Sequence, residues 1–262
     1  MENGARLIGA QRYLWLSPET SGQMTMDRDT VGHRPMRQCA VEKKSRYKMC
    51  QNEKQAGLIG YWGLSDWWQT SFSEEEKDYI TYRVRTMRAG PRALTEGTPF
   101  IPTNSTHNSA SFFLVNLINW FTAPRDNSIA RRIALKALDL AIDVDDVASS
   151  LKWIIRLYHK ARKTVPSALV VVEKSCKQLI NLTPDILEKR KDYYELRYPS
   201  FHPDQYAPLG NNVGYDYLVI ILEKRKEYSE VIRLCTEAKN QGWEGNWDQR
   251  IDRCKKRLLK NL

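Results

Sequence analysis

Residues 215–243, YDYLVIILEKRKEYSEVIRLCTEAKNQGW, comprise two apolar-striped segments joined at a short polar break. Leu218, Ile221 and Leu222 recur at helical spacing in the first, and Val231, Leu234, Cys235 and Ala238 do so in the second. That rhythm of threes and fours is the mark of amphipathic helices. A lone helical hairpin cannot bury its own apolar stripes, so it needs further helices to lie against. The chain must supply those neighbours.

It does so from residue 109 onward. SASFFLVNLINWF (109–121) predicts a helix that ends ahead of Pro124, and 126–143 a second with Ile133, Ala137, Leu140 and Ala141 on one stripe. Residues 144–164 predict a third, on Val147, Leu151, Ile154, Ile155 and Tyr158. A fourth starts at Pro166, and Thr183 followed by Pro184 reads as an N-cap and first-turn proline for a fifth, to about Leu196. After the loop RYPSFHPDQYAPLGNN and the hairpin, a last helix carries Trp247, Ile251, Cys254 and Leu258. LVVVE (169–173) could pass for a strand, but its neighbours are helical and it is read as helix. The expected fold class is all-α, with antiparallel helical hairpins stacked on one another.

Ahead of this region, GLIGYWGLSDWWQTSFSEEEKDYI packs five aromatics between Tyr61 and Phe72 and then starts a helix over about 73–87. Ser73 with Glu76 fits a capping box, and Glu74 and Glu75 complement the helix dipole. Trp62, Trp67 and Trp68, with Tyr61 and Phe72, are expected to cap the open end of the helical stack, and Trp243 and Trp247 to pack at the other end; an exposed docking patch is the alternative for the first group. AGPRALTEGTPFIPTNSTHN then reads as a linker. Residues 1–56 lack a sustained period and are expected to be a mostly disordered leader or a non-native extension.

The chain has no apolar run long enough to cross a membrane and no secretory pattern at its start, which predicts a soluble cytoplasmic protein. Its five cysteines are odd in number and widely spaced, against a disulfide framework or a zinc ribbon. Cys176, Cys235 and Cys254 fall on apolar stripes and read as small core residues. His33, His107, His159 and His202 are scattered without helical metal spacing. Asp143, Asp145 and Asp146 could recruit a cation, but capping of the next helix by Asp145 is the simpler account. Gly57, Gly60 and Gly63 form no phosphate-binding motif, and no serine or cysteine lies in a nucleophile motif. Neither a cofactor, nor a metal, nor an enzymatic activity is expected.

The net charge of +10 favours acidic partners, nucleic acid or simple solubility, without choosing between them. Residues 1–56 hold 10 basic and 6 acidic side chains, 57–123 hold 5 and 6, and 124–262 hold 26 and 19, so the excess lies in the first and last segments. On the final helix Arg250, Arg253, Arg257 and Lys260 follow helical spacing, with Lys255 and Lys256 beside them, and a solvated face near a helix C-terminus, where the dipole favours cations, accounts for them without a ligand.

The 215–243 hairpin resembles a tetratricopeptide repeat. Leu218 early in the first helix, Tyr228 just before the second and Ala238 seven residues after Val231 stand where that family has Leu, Tyr and Ala. Val219 and Val231 depart from it, where the family usually has small residues. Residues 151–179 match more weakly, through Ala168, and the 63 residues between Ala168 and Val231 are no multiple of the roughly 34-residue period. The whole run also resembles bacterial proteins with degenerate tetratricopeptide-like C-termini. The resemblance implies a right-handed solenoid over 108–262 with residues 57–107 as its N-terminal cap and linker, and a groove for a protein or peptide partner. Polar residues on first helices, Lys152, Arg156, Tyr215 and Lys224, are the candidates for that groove. The rival expectation is a nucleic-acid face made of Arg250, Arg253, Lys256, Arg257 and Lys260.

Overall fold

A computed structural model of the chain describes residues 57–84, 93–97 and 109–260. The expected leader over 1–56 lies outside the described residues. The chain divides into two compact units, with the boundary between Thr106 and His107. Among the described residues every regular element is helical, and no helix is long and apolar enough to cross a membrane.

The first unit holds α1 (Gly57–Tyr61), α2 (Ser65–Ser71) and α3 (Glu74–Arg83). The capping box forms as expected: the Glu76 amide donates to Ser73 Oγ at 3.2 Å and the Ser73 amide to Glu76 Oε2 at 3.1 Å. Part of the expected linker turns out to be structural. The amides of Gly57, Leu58 and Ile59 donate to the carbonyls of Gly97, Ala93 and Leu94 at 3.1, 2.8 and 3.0 Å, which satisfies the orphan donors at the start of α1. Gly57 has φ +59°, and a Cβ there would lie 2.6 Å from the Leu94 backbone, so only glycine fits. Leu94 is buried with Ile59, Leu64, Trp68, Phe72, Ile80 and Val84. The aromatic cluster thus builds a core within its own unit, Trp67 and Trp68 meeting Phe72 at 5.2 and 5.3 Å between ring centres.

The second unit runs α4 (Ala110–Ile118), a 3-10 turn (Pro124–Asp126), α5 (Asn127–Asp139), α6 (Val144–Lys160), α7 (Ala168–Asn181) and α8 (Thr183–Arg197). A second 3-10 turn (Pro203–Gln205) then leads to α9 (Val213–Lys224), α10 (Tyr228–Asn240) and α11 (Trp247–Lys260). LVVVE is helical, within α7. Packing follows chain order: α4 on α5, α5 on α6, α6 on α7, α7 on α9, α9 on α10 and α10 on α11. Alternate helices also touch, α4 with α6 and α6 with α9. The stripes meet in a continuous core that includes Leu114, Ile133, Leu151, Val172, Val219 and Val231, each fully or almost fully buried. Cys176, Cys235 and Cys254 are buried free thiols within it, and burial pushes Cys235 up to about 11, so it is an inert apolar filler.

Two capping expectations are corrected. Asp143, not Asp145, caps α6, its Oδ1 accepting from the Asp146 amide at 2.9 Å, while Asp145 lies inside the helix and pairs with Lys189. Thr183 does not cap α8. It is fully buried, and its hydroxyl accepts from Asn212 Nδ2 at 3.4 Å, tying the start of α8 to the cap of α9. Beyond Thr183, α8 leaves the stack and has no other buried residue. Its outer end is held by aromatics: Tyr194 stacks on Tyr206 at 4.3 Å and accepts the Ala207 amide through its hydroxyl at 3.1 Å.

The close approach of helices comes at Gly214. A Cβ there would meet the Cys176 carbonyl oxygen at 3.0 Å and Ile180 Cγ1 at 3.2 Å, across the α7–α9 interface. Val219 and Val231, at the positions where small residues were expected, are simply core. Gly214→Val is expected to destabilise the unit by about 1–3 kcal/mol through overpacking, read as a lower urea midpoint with an unchanged slope.

Candidate binding face

On α6, the stripe beside the buried one carries Lys152, Arg156 and His159 at spacings of four and three. Arg156 lies over the Trp153 ring at 5.8 Å, a cation–π contact that orders the guanidinium. His159 packs edge-on against Tyr217 of α9 at 4.7 Å, which joins the two helices on this side. Burial pushes the His159 pKa down, helped by the charges of Arg162 and Lys224, so the imidazole is neutral at physiological pH. Burial and the neighbouring Arg156 also lower Lys152, with Asp145 opposing them. Burial raises Asp216 of α9, opposed by Arg250 of α11, a hydrogen bond from Asn211 and the charge of Arg156. Arg156 of α6 and Arg250 of α11 thus both act on the Asp216 carboxylate of α9.

The arginines of α11 have an internal partner. Glu223 of α9 accepts from Arg250 Nη1 at 3.0 Å, from Arg253 Nε and Nη2 at 2.8 and 2.9 Å, and from Arg257 Nη1 at 3.0 Å. One largely buried carboxylate gathers three guanidinium groups that would otherwise repel one another along the helix. Lys256 and Lys260 are exposed and take no part. Arg257 also lies over the Tyr228 ring at 5.7 Å. With Lys224, Ile220 and Glu223 it lines a hollow of about 230 Å³.

The Arg253 hydrogen bonds, with those of its neighbours, hold Glu223 below the usual carboxylate range despite partial burial. A carboxyl whose folded pKa is depressed contributes stability above its unfolded value, about 4.3, and that contribution is lost as pH falls through the lower folded value. Glu223→Gln is therefore expected to be less stable than wild type near neutrality, with the gap closing on acidification. Urea midpoints from about pH 7 to about pH 3 test this; a gap that stays constant would contradict it.

Of the expected groove residues, Lys152, Arg156 and Lys224 lie on this face, and none forms an ion pair with a carboxylate among the described residues. Tyr215 does not belong there. Its side chain is fully buried, packs against Trp247 and donates its hydroxyl to Glu237 at 2.7 Å, with the Gln241 amide oxygen 3.1 Å away. A tyrosine has an apolar body with one polar atom, and here that atom finds a partner inside the α9–α10–α11 packing. The opposite layer differs: on α7 and α10, Glu173 binds Lys177 and Arg225, and Arg233 binds Glu230 and Glu237, all within 2.9 Å. Sequence reasoning missed Glu223, Asp216 and Tyr217. The only signal for Glu223 was a lone acid opening the basic run EKRK.

Among the described residues no group of three side chains could hold a metal ion. Comparison with protein-family models, with curated proteins and with solved structures returned no match to this chain.

Proposed function

We propose that residues 109–260 are a tetratricopeptide-like solenoid that docks an acidic segment of a partner protein across α6, α9 and α11. The observation that carries this reading is the asymmetry of charge pairing. Among the described residues Lys152, Arg156 and Lys224 have no ion-pair partner, while Lys177 of α7 and Arg233 of α10 are matched by carboxylates. Unpaired cations held beside Trp153, Tyr217 and Ile220 suit a ligand that brings carboxylates and some apolar surface. The repeat-like reading draws support from Leu218, Tyr228 and Ala238, all buried in the α9–α10 hairpin, and from the lateral contacts of α4, α6 and α9, a layer that would line the groove. Buried free thiols suit work in the cytoplasm.

Nucleic-acid binding by α11 is the weaker reading, because Glu223 gathers Arg250, Arg253 and Arg257 at one point instead of leaving them spaced along the helix for successive backbone phosphates. Random-peptide display on the immobilised full chain tests the choice. The expected result is enrichment of Asp- and Glu-rich peptides; enrichment of neutral peptides, or none, would count against it.

A further inference from the structure

The hollow between α9 and α11 is lined by Lys224, Arg257, Ile220 and the carboxylate of Glu223, which also binds Arg250 and Arg253 beside it. The four cations of this group outnumber its one carboxylate by three. Each guanidinium has five N–H donors. Arg250 and Arg257 each spend one on Glu223 and Arg253 spends two. The side chains of Arg253 and Arg257 are nearly half exposed, so their remaining donors face solvent. Glu223 holds these groups in place before any ligand arrives, and Tyr228 backs Arg257 from below. The ordering cost that normally weakens arginine recognition is largely met in the free protein.

Resting on the docking reading above, we infer that this hollow is a phosphate site, taking a phosphorylated side chain of the docked segment. A phosphate monoester carries close to two negative charges at neutral pH and presents three acceptor oxygens. A carboxylate brings one charge and two oxygens. Arg257 and Lys224 on the hollow itself, with Arg250 and Arg253 beside it, give an excess of three positive charges that matches the former better. Ile220 supplies an apolar wall for the carbon stem of the phosphorylated residue. Glu223 stays in place as the counter-charge that keeps the arginines together.

The test uses the full chain and short acidic peptides that differ at one central residue: phosphoserine, glutamate or serine. The phosphoserine peptide is expected to bind about tenfold tighter than the glutamate peptide, the worth of roughly one charge-assisted hydrogen bond. Lys224→Gln with Arg257→Gln, both at exposed positions, is expected to erase that preference while the far-UV circular dichroism stays unchanged. Lys152→Glu is expected to weaken all the peptides alike. The inference is overturned by equal affinity for phosphoserine and glutamate, by a preference that survives the double change, or by a single-stranded RNA oligonucleotide that binds more tightly and displaces the phosphopeptide. If the glutamate peptide still binds in a Lys152-dependent way, only the phosphate site fails; if no peptide binds, the docking reading fails with it.

Discussion

Leu151→Ala is expected to cost the helical stack about 2–5 kcal/mol, the range for truncating a large aliphatic side chain in a core that cannot fully collapse. Leu151 is fully buried on α6, and α6 is the helix that meets α4, α5, α7, α8 and α9. A cavity there lies where alternate and successive helices converge, so no single neighbour can move in to fill it without leaving another. Against a typical domain stability of about 5–15 kcal/mol, such a loss is a large share of the whole. Urea denaturation followed by far-UV circular dichroism reads it as a lower midpoint with an unchanged slope. Leu259→Ala, on an exposed site of α11, is the matched control and is expected to change little. Near-equal effects at the two sites would mean that α6 is not the centre of the stack.

Lys152→Glu with Arg156→Glu is expected to weaken binding of a display-selected acidic peptide by about a hundredfold or more. Each cation lost removes a charge-assisted hydrogen bond worth about 1.5–3 kcal/mol, and each glutamate gained repels the ligand. Arg156 also gives up its seat over Trp153, which loosens the surface the peptide lies on. The stack itself is expected to stay folded, since neither side chain is part of the core. The contrasting variant is Lys177→Glu with Arg233→Glu on the other layer. It breaks surface ion pairs with Glu173, Glu230 and Glu237, at a cost of about 1 kcal/mol or less each, and is expected to leave peptide binding unchanged. Equal loss of binding in both pairs would show that only net charge matters and that the α6–α9–α11 face has no special role.

The helices were legible because their stripes are long and regular. Val147, Leu151, Ile154, Ile155 and Tyr158 announce α6, and Ser73 with Glu76 marks the start of α3 within a residue. Periodicity reports which side of a helix is buried, however, not which helix covers it. The gathering of Arg250, Arg253 and Arg257 on Glu223 joins groups 27, 30 and 34 residues apart, and no local pattern encodes it. Tyr215 reads from sequence as a polar surface residue, yet the partner of its hydroxyl, Glu237, lies a helix away. The turn between α9 and α10 was visible in its polar residues, yet Lys226 sits at φ 62°, in the left-handed region where glycine is the usual occupant. The role of residues 93–97 was hidden because they are sequence-distant from the α1 amides they satisfy. Gly57 and Gly214 are where backbones meet most closely, and no local motif marks either approach.

The central claim is that ligand binding belongs to one face of the stack. Hydrogen–deuterium exchange on the full chain, with and without a display-selected acidic peptide, tests it most directly, because protection is read helix by helix. Slower exchange concentrated in α6, α9 and α11, with α7 and α10 unaffected, is the expected result. Protection confined to α7 and α10, or to the aromatic outer end of α8, would contradict the account and move the binding site elsewhere on the fold.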